Sequence, residues 1–219
     1  MKPLSHQLSR RAAALLACCA LGFAALLAAG PAPAQAKCGQ TRIAKPAKFS
    51  KSNRPPLVIG DSVLYDVVPA LARKGFEANG MICRNMAQGL AIMSKRKARG
   101  TLPHMVIREL GANGVVTTGD IQAALRIVGP GRVLVMLTPT DDDPPRGVDA
   151  AVIKASGVLY SKRMIVLDWA GAVAANPGWV SDGVHLAGPA GQAGLVDLIV
   201  RMKPWAPSPP LQNGGATAP

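Results

Sequence analysis

From Leu57 onward, short apolar runs alternate with stretches of helical period, which is typical of βαβ units around a parallel sheet. Five runs are short and apolar enough to be strands buried on both faces: Leu57–Ile59, Met81–Cys83, Met105–Glu109, Arg132–Leu137 and Met164–Asp168. The stretches between and after them predict helices over Leu64–Lys74, Met86–Arg99, Asp120–Val128, Asp149–Ser161 and Ala190–Met202. The pattern therefore predicts one α/β domain over residues 57–203.

The amino-terminal end of the chain differs in composition from this alternating region. Three basic residues precede an uncharged, Ala/Leu-rich run over residues 12–30, and Ala34 and Ala36 form an Ala-x-Ala site. This order is typical of a cleaved secretory signal peptide over residues 1–36. Two alternatives are an uncleaved anchor, since the run is just long enough to span a bilayer, and a lipoprotein modified at Cys18 or Cys19. A lipidated Cys18 would leave the apolar run on the mature protein, which weighs against a lipoprotein.

Two further segments flank the predicted domain. Residues 37–56 are basic, contain proline and lack periodicity, so we expect a flexible arm there. Residues 204–219 are rich in Pro, Gly, Ser and Ala and predict a flexible tail. A cleaved leader implies export, so we expect a periplasmic or secreted protein, and a monomer.

The charge of the chain is strongly basic. With 49% hydrophobic and 17% charged residues, the composition excludes a disordered chain. The formal net charge is +13, and loss of the three bases in residues 1–36 would lower it to +10. In an exported protein such charge favours an anionic envelope polymer or lipid head groups as partner, and we expect no nucleic acid. A solvated basic arm without a partner is the alternative.

The cysteines and histidines limit which disulfides and metal sites the chain can form. Removal of the leader would leave Cys38 and Cys83 in an oxidising compartment, either as one disulfide or as two free thiols. The three histidines, His6, His104 and His185, lie far apart in sequence. We therefore expect no metal site.

Polar residues follow three of the predicted strands, at the sheet edge where parallel α/β proteins bind ligands. Ser62 follows the first strand, Asn113 follows the third, and Asp182 and His185 follow the fifth. A serine hydroxyl needs an adjacent base to act as a nucleophile, and His185 is the candidate. Asp182 can accept the imidazole Nδ1 proton, and Asn113 can donate to a developing oxyanion together with the Ser62 N–H. Each signal alone is also typical of an ordinary turn or loop.

Together these residues resemble the SGNH (GDSL-type) hydrolases, and in particular the extracellular SGNH domain of bacterial peptidoglycan O-acetyltransferases. The resemblance covers about residues 57–200. It is carried by the blocks Val58-Ile59-Gly60-Asp61-Ser62-Val63, Ile82-Cys83-Arg84-Asn85-Met86, Glu109-Leu110-Gly111-Ala112-Asn113-Gly114 and Leu167-Asp168-Trp169, and by Asp182-Gly183-Val184-His185-Leu186.

The resemblance implies a flavodoxin-like three-layer α/β/α sandwich with a five-stranded parallel sheet in the order 2-1-3-4-5. It implies a Ser62-His185-Asp182 triad and no cofactor. In the second block Cys83 stands where the family usually places a glycine whose N–H joins the oxyanion hole, so we expect Ser62, Asn113 and Cys83 to form that hole. The Gly-x-Asn-Gly pattern of the third block resembles the acetyltransferase branch.

We also expect Asp61, Arg84 and Gly111 to lie at the substrate, although an arginine in this place more often pairs with a nearby acid. The preferred interpretation is an exported serine esterase that acts on small acyl esters, above all O-acetyl groups of an envelope glycan. One alternative is an O-acetyltransferase to cell-wall glycan whose acetyl donor comes from a separate membrane partner. A second is a noncatalytic module that binds glycans or polyanions.

Overall fold

A mixed sheet of six strands organises the part of the chain that the structure describes. The computed structural model describes residues 37–49, 53–140 and 147–203, so the predicted leader over 1–36 and tail over 204–219 lie outside the described residues. The strands are β1 (Thr41–Ala44), β2 (Leu57–Gly60), β3 (Glu77–Met81), β4 (Met105–Glu109), β5 (Val133–Leu137) and β6 (Met164–Leu167). Their order across the sheet is β1-β3-β2-β4-β5-β6.

Five of these strands are parallel and follow the predicted order 2-1-3-4-5, which confirms the fold class. The prediction of only five strands is wrong, because β1 pairs antiparallel with β3 at the edge, with Thr41 opposite Met81. β1 lies within the segment that we expected to be a flexible arm. Its basic residues hide the strand in the sequence, whereas its backbone completes the edge of the sheet and its side chains alternate between exposed and half-buried.

The position of the second parallel strand also differs from the prediction. The sequence pattern predicts the second parallel strand near Met81–Cys83, whereas β3 ends at Met81 and Cys83 lies in the following loop. β3 has no apolar run, since it contains Glu77 and Asn79. Glu77 is buried and receives two hydrogen bonds from Arg96, of 2.6 and 2.8 Å, which allows a charged residue to lie in the sheet.

Seven α-helices and one 3₁₀ turn surround the sheet in the described ranges. The helices are α1 (Ser62–Tyr65), α2 (Val68–Arg73), α3 (Met86–Ala98), α4 (Thr118–Val128), α5 (Val148–Leu159), α6 (Trp169–Ala175) and α7 (Gly188–Val200). The 3₁₀ turn covers Pro177–Trp179. The predicted helix over Leu64–Lys74 is divided into α1 and α2, because Pro69 lacks an N–H and favours the first turn of a new helix. None of the helices in the described ranges has the length and apolar character needed to cross a bilayer.

Hydrophobic clusters on both sides of the sheet make the molecule a three-layer sandwich. Side chains of α1, α2, α6 and α7 pack in one cluster, and side chains of α3, α4 and α5 pack in the other. In β2, Val58 belongs to the first cluster, while Leu57 and Ile59 belong to the second. A central strand that is apolar on both faces explains why its sequence is a continuous run.

Helix α7 packs unusually close to the 3₁₀ turn. A Cβ atom on Gly191 would lie 2.0 Å from the Trp179 carbonyl oxygen, and one on Gly194 would lie 2.6 Å from the Trp179 ring. Both distances are far below a normal contact, so these glycines let the backbone of α7 approach the turn. The segment that carries Asp182 and His185 begins directly after this contact.

We predict that Gly191→Ala destabilises the protein, because the added methyl group forces α7 and the turn apart. The expected loss in the free energy of unfolding is about 1–3 kcal/mol, as for other overpacked sites. Gly119→Ala in α4 is the matched control, because its Cβ would meet nothing closer than 3.5 Å. That control should gain up to about 1 kcal/mol from helix propensity. Urea denaturation measures both, and equal stabilisation by the two variants would contradict the close contact.

Candidate active site

The candidate active site lies at the carboxyl ends of the parallel strands. Ser62 is the first residue of α1, two residues after β2 ends at Gly60. Asp61 caps the helix, because its Oδ1 accepts a hydrogen bond of 3.0 Å from the Val63 N–H. The Asp61 N–H is itself held by the carbonyl oxygen of Glu109 at 3.2 Å, so the turn is tied to the end of β4. This arrangement fixes the backbone that carries Ser62.

The structure brings Ser62 to Asp182 and His185, although Ser62 and His185 are 123 positions apart in the sequence. Ser62 Oγ lies 3.1 Å from His185 Nε2. On the other side of the ring, His185 Nδ1 lies 2.7 Å from Asp182 Oδ2. Both contacts are within hydrogen-bond distance. With Nδ1 protonated and donating to Asp182, the Nε2 lone pair faces the serine hydroxyl, as a general base requires.

Asp182 is held by its own loop as well as by the imidazole. Its Oδ1 accepts hydrogen bonds from the Val184 N–H at 3.0 Å and the His185 N–H at 2.7 Å. Burial would raise the pKa of Asp182, but the bonds from the His185 backbone and ring and from the Val184 backbone lower it to about 2. The carboxylate therefore remains charged at neutral pH, where it lies against the imidazole ring.

The Asp182–His185 loop closes on itself like a short hairpin. Val180 and Leu186 form an antiparallel bridge, and the Ser181 N–H donates to the His185 carbonyl oxygen at 2.8 Å. The Ala187 N–H donates to the Trp179 carbonyl oxygen at 2.8 Å, at the close contact with α7. The loop is thus anchored at its base, while the His185 and Asp182 side chains are 54% and 56% exposed. The resulting site is open to solvent.

Two acids are buried behind Ser62. Asp61 and Glu109 are both almost fully buried, and Glu109 Oε2 lies 3.3 Å from the Asp61 backbone nitrogen. Burial raises the pKa of Asp61 to about 6, although contacts with Val63, Asn113 and Ala112 act in the opposite direction. Burial, and then the nearby Asp61 carboxylate, raise the pKa of Glu109 well above its usual value. Two carboxyl groups that are both shielded from water therefore lie directly beneath the turn.

Arg84 lies beside these two acids and supports the turn from within. Its Nη1 donates to the Gly60 carbonyl oxygen at 2.7 Å and also to the Asn79 carbonyl oxygen. Its Nη2 donates to Asn79 Oδ1 at 2.7 Å. Burial lowers the pKa of Arg84, while the charges of Asp61 and Glu109 favour its protonated form. The guanidinium thus links β2 to β3 and offsets part of the negative charge of the acids.

The structure buries the three residues that we expected at the substrate, Asp61, Arg84 and Gly111, and their substrate contacts remain a prediction. Arg84 is 2% exposed and its hydrogen bonds go to the backbone and to Asn79. Asp61 is 0% exposed. Gly111 is buried with φ +140°, and a Cβ there would lie 2.7 Å from the Pro139 side chain. All three residues shape the site from beneath the surface.

The three expected oxyanion donors come from three separate segments. Ser62 is the first residue of α1, and the N–H at such a position has no acceptor within its own helix. Asn113 Nδ2 is buried beside Asp61 and makes no hydrogen bond there. Its proximity nevertheless favours the charged form of the Asp61 carboxyl group. Cys83 has φ +62°, the left-handed conformation in which glycine is the usual residue. Cys83 thus adopts a backbone conformation that suits glycine, the residue that the resemblance predicts at this position.

Cys83 is also joined covalently to the edge strand. It forms a disulfide with Cys38, 45 positions earlier, just before β1. Backbone bonds flank the bridge on both sides, from the Gly39 N–H to the Ile82 carbonyl oxygen and from the Ile82 N–H to the Gln40 carbonyl oxygen, each of 3.0 Å. The segment before β1 is therefore fixed against the loop that carries Cys83. In the described ranges, no group of three or more His, Cys, Asp or Glu residues could hold a metal ion.

Comparisons with known proteins agree with this architecture. The chain superposes on the catalytic C-terminal domain of the Streptococcus pneumoniae peptidoglycan O-acetyltransferase A (OatA) with a TM-score of 0.57 and 21% identity, over 75% of this chain and 93% of that one. The chain has the SGNH hydrolase fold. The resemblance stated from the sequence motifs is thereby confirmed for the fold.

Two further proteins are similar to this chain. YrhL of Bacillus subtilis (strain 168), which carries the name of a peptidoglycan O-acetyltransferase, is 29% identical over 166 residues, or 73% of this chain. The chain spans about a quarter of the length of that relative, 25%. A carbohydrate esterase of family 3 from Talaromyces cellulolyticus is 14% identical over 67% of this chain and 94% of that one, with a TM-score of 0.42. No family model matches the chain.

Sequence reasoning missed the residues that support the candidate active site from below. Glu109 was part of a quoted motif but received no role, although an acid at the end of an apolar strand is a signal for a buried polar contact. Asn79 and Trp179 carried no such signal. Their importance comes from contacts with Arg84 and with α7, which depend on the tertiary fold.

We predict that Glu109→Gln stabilises the protein at pH 8 and changes little at pH 4. The folded pKa of Glu109 is raised, so its contribution to stability is most favourable at low pH and is lost as the pH rises and the buried acid ionises. The amide retains an acceptor for the Asp61 N–H but carries no charge. The expected gain at pH 8 is about 1–3 kcal/mol.

The control is Glu77→Gln, the same change at an acid whose pKa is lowered. Burial alone would raise that pKa, but the bonds and charge of Arg96 outweigh it. Its contribution is present at neutral pH and lost as the pH falls, so this variant should be destabilised at pH 8. Urea denaturation at both pH values measures the two variants. A loss of stability in Glu109→Gln at pH 8 would contradict the account of the buried pair.

Proposed function

We propose that this chain is an exported serine esterase of the SGNH type that hydrolyses small acyl esters, above all acetyl esters of envelope glycans. The observation that carries the proposal is the contact chain from Ser62 Oγ through His185 to Asp182, with distances of 3.1 and 2.7 Å. A serine, an imidazole and a carboxylate in this order are the groups that acyl transfer to a hydroxyl nucleophile requires.

In the proposed reaction Ser62 Oγ attacks the ester carbonyl carbon while its proton passes to His185 Nε2. Asp182 stabilises the imidazolium that forms. The Ser62 and Cys83 N–H groups and the Asn113 amide donate to the oxyanion. The intermediate then breaks its bond to the sugar oxygen, which takes the proton from His185 and leaves as a hydroxyl, and the acyl group stays on Ser62. Water repeats the sequence, releases the carboxylic acid and restores the serine.

The exposure of the site supports a polymeric substrate. His185 and Asp182 are each more than half exposed, so an ester on a long chain could reach Ser62 without entering a closed cavity. The names of two similar proteins refer to peptidoglycan O-acetyl groups, which is why we propose a glycan as the ester's carrier.

The second candidate function is O-acetyl transfer to cell-wall glycan. An open site could admit a sugar hydroxyl in the place of water at the second step, and the two similar proteins carry the name of O-acetyltransferases. A separate membrane partner would then supply the acetyl group. Hydrolysis and transfer share the acyl-serine intermediate and differ only in the acceptor.

We predict that Ser62→Ala abolishes hydrolysis of p-nitrophenyl acetate, with a loss of at least about 10³-fold in kcat/KM. Asp182→Asn should cost about 10²–10⁴-fold, because the amide can favour the wrong imidazole tautomer. Ser94→Ala, an exposed serine of α3, is the matched control and should retain the full rate. Equal rates for Ser62→Ala and Ser94→Ala would remove both enzyme proposals for this ester and favour the noncatalytic binding module.

A second measurement separates hydrolysis from transfer. We expect that addition of a chitooligosaccharide acceptor leaves free acetate as the main product, because water reaches the exposed site readily. Mass spectrometry of the sugar and an assay of acetate give the ratio of the two products. Acetylated sugar in excess of free acetate, absent in Ser62→Ala, would establish transfer in place of hydrolysis.

A further inference from the structure

The end of the sheet opposite Ser62 carries a basic surface that the proposed reaction does not use. We call it the amino-end face, because its residues lie where the parallel strands begin. Its basic residues are Lys48, Arg54, His104, Arg132, Lys162, Arg163 and Lys203. They precede or flank the amino ends of β2, β4, β5 and β6, and the Lys203 side chain approaches Gly75 before β3.

These residues form a continuous surface. One shallow depression of about 280 Å³ is lined by Lys48, Arg54 and His104 among others. A second, of about 420 Å³, is lined by His104, Arg132, Lys162 and Arg163. Because His104 borders both, the depressions join along the start of the strands. A negatively charged partner could therefore contact the whole face at once.

The positive charge of this face is not neutralised within the described part of the chain. The ion pairs found there join Asp or Glu to Lys45, Arg96, Lys154 and His185, and none includes a residue of the amino-end face. Glu77, which begins β3 at this end, is already paired with Arg96 and Lys45. Arg132 and Arg163 donate to backbone carbonyl oxygens, which leaves their charge uncompensated.

Acidic groups concentrate at the other end of the sheet. Asp61, Glu109, Asp168 and Asp182 all lie at or beyond the carboxyl ends of strands. The molecule is thus polarised along the strand direction, with bases at one end and the acids of the candidate active site at the other. An anionic surface would attract the amino-end face and repel the opposite end, which gives an orientation as well as an affinity.

Large apolar side chains are exposed at the same end. Phe49 is 47% exposed and follows Lys48 directly. Val158 and Leu159, at the end of α5, are 81% and 72% exposed and are followed closely by Lys162 and Arg163. A soluble polyanion has no apolar region in which these side chains could be buried, whereas a lipid bilayer has one below its head groups. Basic residues interleaved with exposed apolar residues are typical of a surface that binds an anionic membrane.

We propose that the amino-end face docks on an anionic lipid bilayer and holds the Ser62–His185 site away from it. The lipid phosphates would lie against the basic residues, and Phe49 and Leu159 would enter the interface. The site at the carboxyl ends of the strands would then face the polymer layer beyond the membrane. The docking does not depend on the esterase proposal, because it uses none of the residues of that reaction.

The test uses residues 37–219, which contain both hydrophobic clusters and the disulfide and form one compact unit. Binding is measured by cosedimentation with vesicles of phosphatidylglycerol and phosphatidylcholine, and with vesicles of phosphatidylcholine alone. We expect binding only to the anionic vesicles, and weaker binding at high salt.

Matched variants locate the contact. Lys48→Gln with Lys162→Gln should weaken binding roughly 30-fold, since each basic residue near an anionic surface contributes about fivefold. Lys37→Gln with Lys154→Gln removes the same charge outside the face and should weaken binding at most about threefold, through long-range attraction alone. Leu159→Ser should weaken it several-fold, whereas Val115→Ser, an equally exposed residue beyond β4, should not. All variants should hydrolyse p-nitrophenyl acetate at the same rate.

Three results would overturn the proposal. The first is no binding to anionic vesicles at low salt, and the second is an equal effect of the two lysine pairs, which would indicate diffuse charge. The third is binding that is unchanged in the Leu159→Ser variant and is abolished by soluble polyphosphate. That result would show that the face binds a dissolved polyanion in place of a membrane. Loss of hydrolysis with intact docking would contradict only the esterase proposal.

Discussion

The capped turn between β2 and α1 is the constraint on which the rest of the site depends. A Cβ on Gly60 would lie 2.4 Å from Leu64 Cβ and 2.5 Å from Glu109 Oε2, so the turn leaves no space for a side chain. Asp61 closes the turn by capping α1 from a fully buried position. Ser62 can project toward His185 because this backbone cannot relax. The cost of burying Asp61 and Glu109 is therefore part of placing the Ser62 side chain.

His185 and Asp182 are held in place by a different set of contacts. Their loop receives its position from the contact between Trp179 and α7, and the Trp179 and Trp169 rings stack with centroids 5.8 Å apart. Trp169 is buried in the core cluster on that side of the sheet. Ser62 is thus supported by buried charge and backbone bonds, and the loop of Asp182 and His185 by aromatic packing. The two supports share one hydrophobic cluster, in which Val63 and Leu64 lie with Trp169. The 3.1 Å contact between Ser62 and His185 joins the polar groups.

Much of this arrangement could be predicted from the sequence, for physical reasons. Strands buried on both faces leave apolar runs, so β2, β4, β5 and β6 were predicted nearly at their observed positions. β3 was misplaced because Glu77 and Asn79 interrupt its pattern, and the contacts that make them acceptable come from Arg84 and Arg96, distant in sequence. β1 was missed because an edge strand held by backbone pairing needs no apolar run. The roles of Ser62, His185 and Asp182 remain predictions, whereas their proximity is a feature of the structure.

The disulfide between Cys38 and Cys83 makes the closed edge of the sheet depend on the redox state of its surroundings. Such bonds form where thiols are oxidised and are rare where they are kept reduced. Without the bond, β1 keeps its backbone pairing with β3 and the contacts of Arg42 with Tyr65, and the Cys83 backbone must keep its left-handed conformation without a covalent tie. The covalent closure of this edge is therefore set by the compartment as well as by the sequence.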